Sequence, residues 1–133
     1  MKPVLNSFLC IVMCFQLLAC GVAGTVEVMT PAVLAAQIEQ GMPPLILDVR
    51  SPEEYIAGHI PGAINVEYRQ ISEQIETLQP YETEEIVVYC ERGFRANRAI
   101  ADLEDAGFST VFFLDGHKSA WRQANIPIER SAP

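Results

Sequence analysis

Ile86-Val87-Val88-Tyr89-Cys90-Glu91-Arg92-Gly93-Phe94-Arg95 decides how this chain is read. Its apolar half is an unbroken run, as expected of a strand buried on both faces of a sheet. The run stops at a thiol, turns through glycine and arginine, and enters a helical stretch over Ala96 to Ala106 that Gly107 closes. Such a strand–turn–helix aims several backbone N–H groups at one sulfur. Those amides, the positive end of the helix and nearby arginines all favour thiolate over thiol. Arg92, Arg95 and Arg98 form the one basic cluster in a chain of formal charge −8. The chain therefore reads as the carrier of one reactive sulfur, charged and accessible at the lip of a sheet.

Working outward, apolar runs alternate with helical patterns. Val26-Glu27-Val28, Leu45-Ile46-Leu47, Ala63-Ile64-Asn65-Val66 and Val111-Phe112-Phe113-Leu114 are the other strand candidates. Thr30-Pro31 opens a helix that Gly41 stops, with Val33, Leu34 and Ile38 at helical spacing. Ser51-Pro52-Glu53-Glu54 is a capping box that opens a short helix ending by Gly58. Ile71, Ile75 and Leu78 mark another helix, and Ser119 to Ala124 a last one. The alternation predicts a mostly parallel sheet with helices on both faces. Ligands bind beyond the carboxyl ends of such strands. Asp48 and Arg50, Cys90 to Arg95, and Asp115-Gly116-His117 fall at three of those ends.

The length, 133 residues, suits one domain plus a leader, and 50% hydrophobic residues suffice for one core. The acidic balance argues against nucleic acid as a partner, since neutralising phosphates takes an excess of Lys and Arg. Met1-Lys2, the apolar stretch Phe8 to Leu18 and Ala19-Cys20-Gly21 read as a targeting segment, 1–19. Its apolar part is shorter than the ~20 residues that span a bilayer. Leu17-Leu18-Ala19-Cys20 resembles the bacterial lipoprotein box. That resemblance implies lipid on Cys20, a tether over 20–25, a domain over 26–130, and a periplasmic site, at the outer membrane in preference to the inner. Cys10 and Cys14 leave with the leader and Cys20 is acylated, so Cys90 has no disulfide partner where disulfides are favoured.

Three further strings surround the cysteine loop: Leu47-Asp48-Val49-Arg50-Ser51-Pro52-Glu53-Glu54-Tyr55, Gly58-His59-Ile60-Pro61-Gly62-Ala63-Ile64-Asn65, and Asp115-Gly116 with Trp121. With Cys90-Glu91-Arg92-Gly93-Phe94-Arg95 they resemble, in order, the rhodanese family of sulfurtransferases from Val26 to Pro127. The resemblance implies a three-layer α/β sandwich around a five-stranded sheet. It implies that Cys90 takes a sulfane sulfur from thiosulfate or a persulfide or polysulfide, becomes a persulfide, and passes the sulfur to a thiol or cyanide. Glu91, Arg92, Gly93, Phe94 and Arg95 would form the substrate loop, with Arg95 and then Arg92 holding the anionic donor. No metal or organic cofactor is implied, and the two histidines lack metal-ligand spacing.

Asp48 and Arg50 are expected to buttress the site through an ion pair. His59 and Trp121 are expected to be structural, Arg98 to be solvated, and Phe94 to wall the pocket. Two departures from the family pattern stand out. Glu91 sets a negative charge beside the thiolate and should partly offset the arginines. His117 and Lys118 replace the usual second glycine and its neighbour. Two alternatives use the same thiol: a non-catalytic sulfur carrier or a redox-sensing module. Related phosphatases and arsenate reductases need the arginine six places after the cysteine, where this chain has Ala96.

Overall fold

The computed structural model describes residues 27–131. Five parallel strands form one sheet in the order β1-β5-β4-β2-β3, with β1 Glu27–Met29, β2 Leu45–Asp48, β3 Ile64–Asn65, β4 Ile86–Tyr89 and β5 Val111–Leu114. The α/β class is as the sequence implies, and the sheet is wholly parallel. Helices α1 Pro31–Glu39, α2 Pro52–Ala57, α3 Ile75–Leu78, α4 Phe94–Asp105 and α5 His117–Gln123 connect and cover the strands.

Every residue of β4, the central strand, is buried. Side chains of a strand alternate between faces. Ile86, Val88 and Cys90 accordingly enter one core with Leu47, Ile71, Leu78 and the Ala96, Ala99, Ile100 and Leu103 stripe of α4. Val87 and Tyr89 enter the other with Leu34, Ile46, Leu114 and Trp121. The stripe on α4 follows the spacing of a helix face against a sheet.

The local signals in the sequence act as read. Thr30 caps α1, its hydroxyl accepting from the Val33 amide at 3.3 Å. Ser51 and Glu54 close a reciprocal capping box on α2. Three boundaries differ. The stretch around Ile71 to Leu78 is no continuous helix: 3₁₀ turns Tyr68–Gln70 and Gln79–Tyr81 flank the single turn of α3. Pro80 has no N–H to extend that turn, yet Ile71 and Leu78 are both fully buried without it. Helices α4 and α5 begin directly after Gly93 and Gly116, two residues earlier than the apolar pattern alone implies.

Leu34 is the one buried residue of α1. We expect Leu34→Ala to destabilise the domain by about 2–5 kcal/mol in urea unfolding, through lost transfer energy and the cavity left behind. A loss below 1 kcal/mol, on the order of a surface substitution, would show that α1 is not held by this contact.

Candidate active site

At the carboxyl ends of β2 and β4 lies a buried polar cluster. The Asp48 carboxylate is fully buried and accepts from the Arg50 amide (3.0 Å), from Arg50 Nε (2.9 and 3.1 Å) and from Arg50 Nη2 (2.6 Å). Asp48 is the register partner of Tyr89 across the β2–β4 pair, and the Tyr89 hydroxyl donates to Asp48 Oδ2 at 2.6 Å. That hydroxyl in turn accepts from the Ile60 amide at 3.1 Å. Burial, then the Asp48 charge, raises the phenol and keeps it protonated as a donor. Burial alone would lower the Arg50 guanidinium, but the Asp48 hydrogen bonds and charge outweigh it and raise it. Arg50 also donates to the Gly58 carbonyl at 2.8 Å and lies 3.8 Å from Glu91. Asp48 and Arg50 thus form an ion pair, and Arg50 extends from it to the loop at Glu91.

Cys90 follows β4 directly. Its carbonyl accepts from the Lys118 amide at 3.0 Å, which fastens the loop to the start of α5. Its sulfur accepts from the Gly93 amide at 2.9 Å. The sequence suggests several amides and an accessible sulfur; one amide donates, and Cys90 is only 1% exposed. The reason lies in the loop and helix: Gly93 turns with φ 119°, and α4 sets Ala96 and Ala99, two small side chains, in the same core as the thiol. The sulfur sits beneath the loop, not at its lip.

Arg95 stands beside Cys90, and its guanidinium is raised first by Glu54 and further by the cysteine. Nη1 and Nη2 of Arg95 meet Glu54 at 2.5 and 2.9 Å, a bidentate pair. The Arg95 hydrogen bonds hold the Glu54 carboxyl down at about 2, with the Ser51 amide assisting against partial burial. Glu54 is the site residue that the sequence did not assign. Its signal was the capping box, in which Glu54 Oε2 accepts from the Ser51 amide at 3.2 Å, the same oxygen that meets Arg95.

Glu91 does not turn its charge on the sulfur alone: it pairs with Arg122 at 2.5 Å and lies 3.8 Å from Arg50. Arg92 and Phe94 are exposed, Phe94 by 81%. Together with Gly93, Asn97 and His117 they edge a shallow hollow of about 520 Å³ between the loop and α5. Arg98 is a surface residue 3.6 Å from Asp102 on its own helix. His59 stacks on Tyr55 at 3.8 Å with Nδ1 2.8 Å from the Tyr55 carbonyl, and buried Trp121 donates to the Pro127 carbonyl. Both are structural, as the sequence implies. Cys20 and the leader lie outside the described residues.

A parallel sheet whose central strand ends in an amide-bound cysteine, with arginine five places on, defines a cysteine-loop α/β domain. The chain belongs to the rhodanese-like domain family, which matches residues 30–124. It is 37% identical over 93 residues to thiosulfate sulfurtransferase 16, chloroplastic, of Arabidopsis thaliana, covering 62% of this chain and 78% of that one. It is 37% identical over 109 residues to the HTH-type transcriptional regulator Rv0324 of Mycobacterium tuberculosis, covering 80% of this chain. The chain spans 46% of that regulator's length. Among solved structures, the Alr3790 protein from Anabaena sp. is similar with a TM-score of 0.71 and 29% identity, over 79% of this chain and 94% of that one. Similarity to proteins named thiosulfate sulfurtransferases supports sulfur transfer of the rhodanese type in general.

The depressed Glu54 carboxyl gives a pH signature. A folded-state pKa of about 2 against an ordinary 4.5 adds stability above that ordinary value. It is lost as pH falls from about 4.5 towards about 2. We expect Glu54→Gln to flatten the stability-versus-pH curve in that window; identical curves for both proteins would show that the Arg95 pair does not contribute.

Proposed function

We propose that the chain is a sulfurtransferase that carries sulfane sulfur on Cys90. The observation that carries this reading is the Cys90 sulfur hydrogen-bonded by the Gly93 amide beside Arg95, at the end of the central strand. The Cys90 thiolate attacks the outer sulfur of thiosulfate, the donor S–S bond breaks, and its electron pair leaves with sulfite. An acceptor thiolate or cyanide then attacks the outer sulfur of the Cys90 persulfide, and Cys90 leaves as thiolate. Both steps are nucleophilic exchanges that need no outside oxidant. The Gly93 amide and Arg95 face the negative charge that the sulfur carries at each step, and exposed Arg92 meets the incoming anion. Glu54 fixes the plane of Arg95. A sulfur 1% exposed under a short loop favours a small donor over a bulky one.

A second reading is a sulfur carrier or redox sensor using the same thiol. Two observations favour it: the enclosure of Cys90, and similarity to a protein named as a transcriptional regulator. Turnover separates the two. Purified protein with thiosulfate and cyanide is expected to release thiocyanate repeatedly, and Cys90→Ser to release none. A one-sulfur mass gain on Cys90 without turnover would favour the carrier, and activity that survives Cys90→Ser would remove both readings.

We further propose that Cys20 is acylated and holds the domain in the periplasm, at the outer membrane in preference to the inner. The support is Leu17-Leu18-Ala19-Cys20 alone. Cells fed a labelled fatty acid are expected to mark the full chain and not its Cys20→Ala variant; equal labelling would place the lipid elsewhere.

A further inference from the structure

Phe94 is the most exposed large apolar side chain among the described residues, at 81%, and it joins neither core. An exposed ring standing alone needs no explanation; the surroundings of this one supply a reason for it. It edges a hollow of about 840 Å³ between the 3₁₀ turn Tyr68–Gln70 and α4. On the helix side the lining is Phe94, Asn97, Arg98, Ala101 and Asp102, spaced three and four residues apart and so one face of the helix. At about 1.5 Å per residue that face is about 12 Å long, room for about three or four residues of extended chain.

Arg50, Arg95 and Arg122 are each held by a carboxylate of another segment or turn. The two arginines that line this groove are not. Arg69 is exposed and makes no ion pair among the described residues. Its Nε donates to the Tyr68 hydroxyl at 2.8 Å, and its guanidinium lies 5.2 Å from the centre of the Tyr68 ring. A neutral phenol thus orients the guanidinium and leaves its charge uncompensated. A fork oriented in advance matches a carboxylate and loses little freedom on binding one. Arg98, its side chain 70% exposed, has only Asp102 of its own helix at 3.6 Å, too long for a hydrogen bond. In a chain of formal charge −8, the groove therefore joins two available cations to an exposed aromatic ring.

We propose that the groove between Tyr68–Gln70 and α4 docks an extended acidic segment of a partner protein, its carboxylates on Arg69 and Arg98 and an apolar side chain on Phe94. The arginines set the sign of the partner's charge, and the length of the helix face sets its extended form. An aromatic side chain beside arginines is also the composition in which binding energy concentrates at protein interfaces. Docking here goes beyond sulfur transfer and does not depend on it. Phe94 follows Gly93 directly, so the partner lies beside the loop that carries Cys90. Asp102 is the one carboxylate lining the groove, and it opposes the partner.

The probe is a fluorescein-labelled peptide of glutamate–leucine–glutamate repeats, titrated with the full chain and read by anisotropy, beside the same peptide with glutamine in place of glutamate. The glutamate peptide is expected to bind, more weakly as salt rises. The double change Arg69→Gln and Arg98→Gln is expected to weaken binding about tenfold, the scale of two exposed ion pairs together. Phe94→Ala is expected to cost about tenfold as the loss of an aromatic anchor. Asp102→Asn is expected to tighten binding about threefold, since it releases Arg98 and removes a like charge. Arg69, Arg98 and Phe94 are exposed, so these changes leave the core intact. Equal affinity for the glutamate and glutamine peptides, or for the wild type and the double arginine variant, overturns the proposal. So does preference for phosphatidylglycerol over neutral vesicles through the same two arginines with no peptide binding, which would assign the groove to a lipid surface. Peptide binding is read without sulfur, so its failure leaves the sulfur-transfer reading untouched.

Discussion

One buried carboxylate holds the working end of this domain together. Asp48 has no exposure, and every donor around it belongs to a segment that must stay in place. Tyr89 locks β2 to β4 one residue before the cysteine, and through Ile60 it also fixes the turn that leads to β3. Arg50, held by that carboxylate, reaches outward to donate to the Gly58 carbonyl and to lie 3.8 Å from Glu91 of the loop. Asn65 closes the group from β3, donating to the Asp48 and Arg50 carbonyls at 2.9 and 3.0 Å. Removing one partner of a buried ion pair typically costs about 3–5 kcal/mol, while well-packed apolar replacements of the whole pair are often neutral. Stability alone therefore does not account for the cluster. Its consequence is geometric: it fixes where β4 ends, and so where the sulfur stands.

The electrostatics of the loop follow from pairing more than from net charge. The sequence presents three arginines around a thiol and suggests a positive field. In the structure Arg95 is held by Glu54, and Glu91 is taken up by Arg122 and Arg50. Cations held in this way lose little freedom when a charge develops beside them, which is the condition for stabilising an anion without reorganisation. The carboxylates reduce the long-range attraction for an anion and improve the aim of the guanidinium at short range. Glu91, read as an offset to the loop arginines, is paired in the structure with two arginines outside the loop, Arg122 and Arg50.

The fold was legible because its signals are local. Apolar runs marked all five strands, and Thr30 and Ser51 announced α1 and α2 through hydrogen bonds to their own backbones. The sulfur, its loop and the Asp48–Arg50 pair were legible for the same reason, being close in sequence. What could not be read was long-range. The Glu54–Arg95 and Glu91–Arg122 pairs join residues 41 and 31 positions apart, and nothing in the spacing of either pair announces the contact. The burial of Cys90 was equally hidden, because it depends on the alanine face of α4 closing over the strand end. The helix expected around Ile71 to Leu78 failed for the opposite reason. Apolar spacing reports which side chains must be buried, and a 3₁₀ turn ending before Ile71 and the single turn of α3 ending at Leu78 bury both as well as one continuous helix would.

The departure at His117 ties two distant positions into one solution. His117 has φ 54°, a left-handed conformation that suits glycine and is uncommon for other residues. Such a backbone costs on the order of 1–3 kcal/mol and persists only where its surroundings enforce it. Here the enforcement is visible. The ring packs edge-on against Phe113 with centroids 5.7 Å apart, and its Nε2 would lie 2.8 Å from a Cβ at position 93. Gly93 therefore serves two ends at once: its φ of 119° brings its amide onto the Cys90 sulfur, and its missing side chain leaves room for the imidazole. A side chain at 93 would have to displace His117 as well as strain the turn. The residue that binds the sulfur and the residue that fills the family's glycine position are one packing problem, and neither can change alone without moving the loop that carries Cys90.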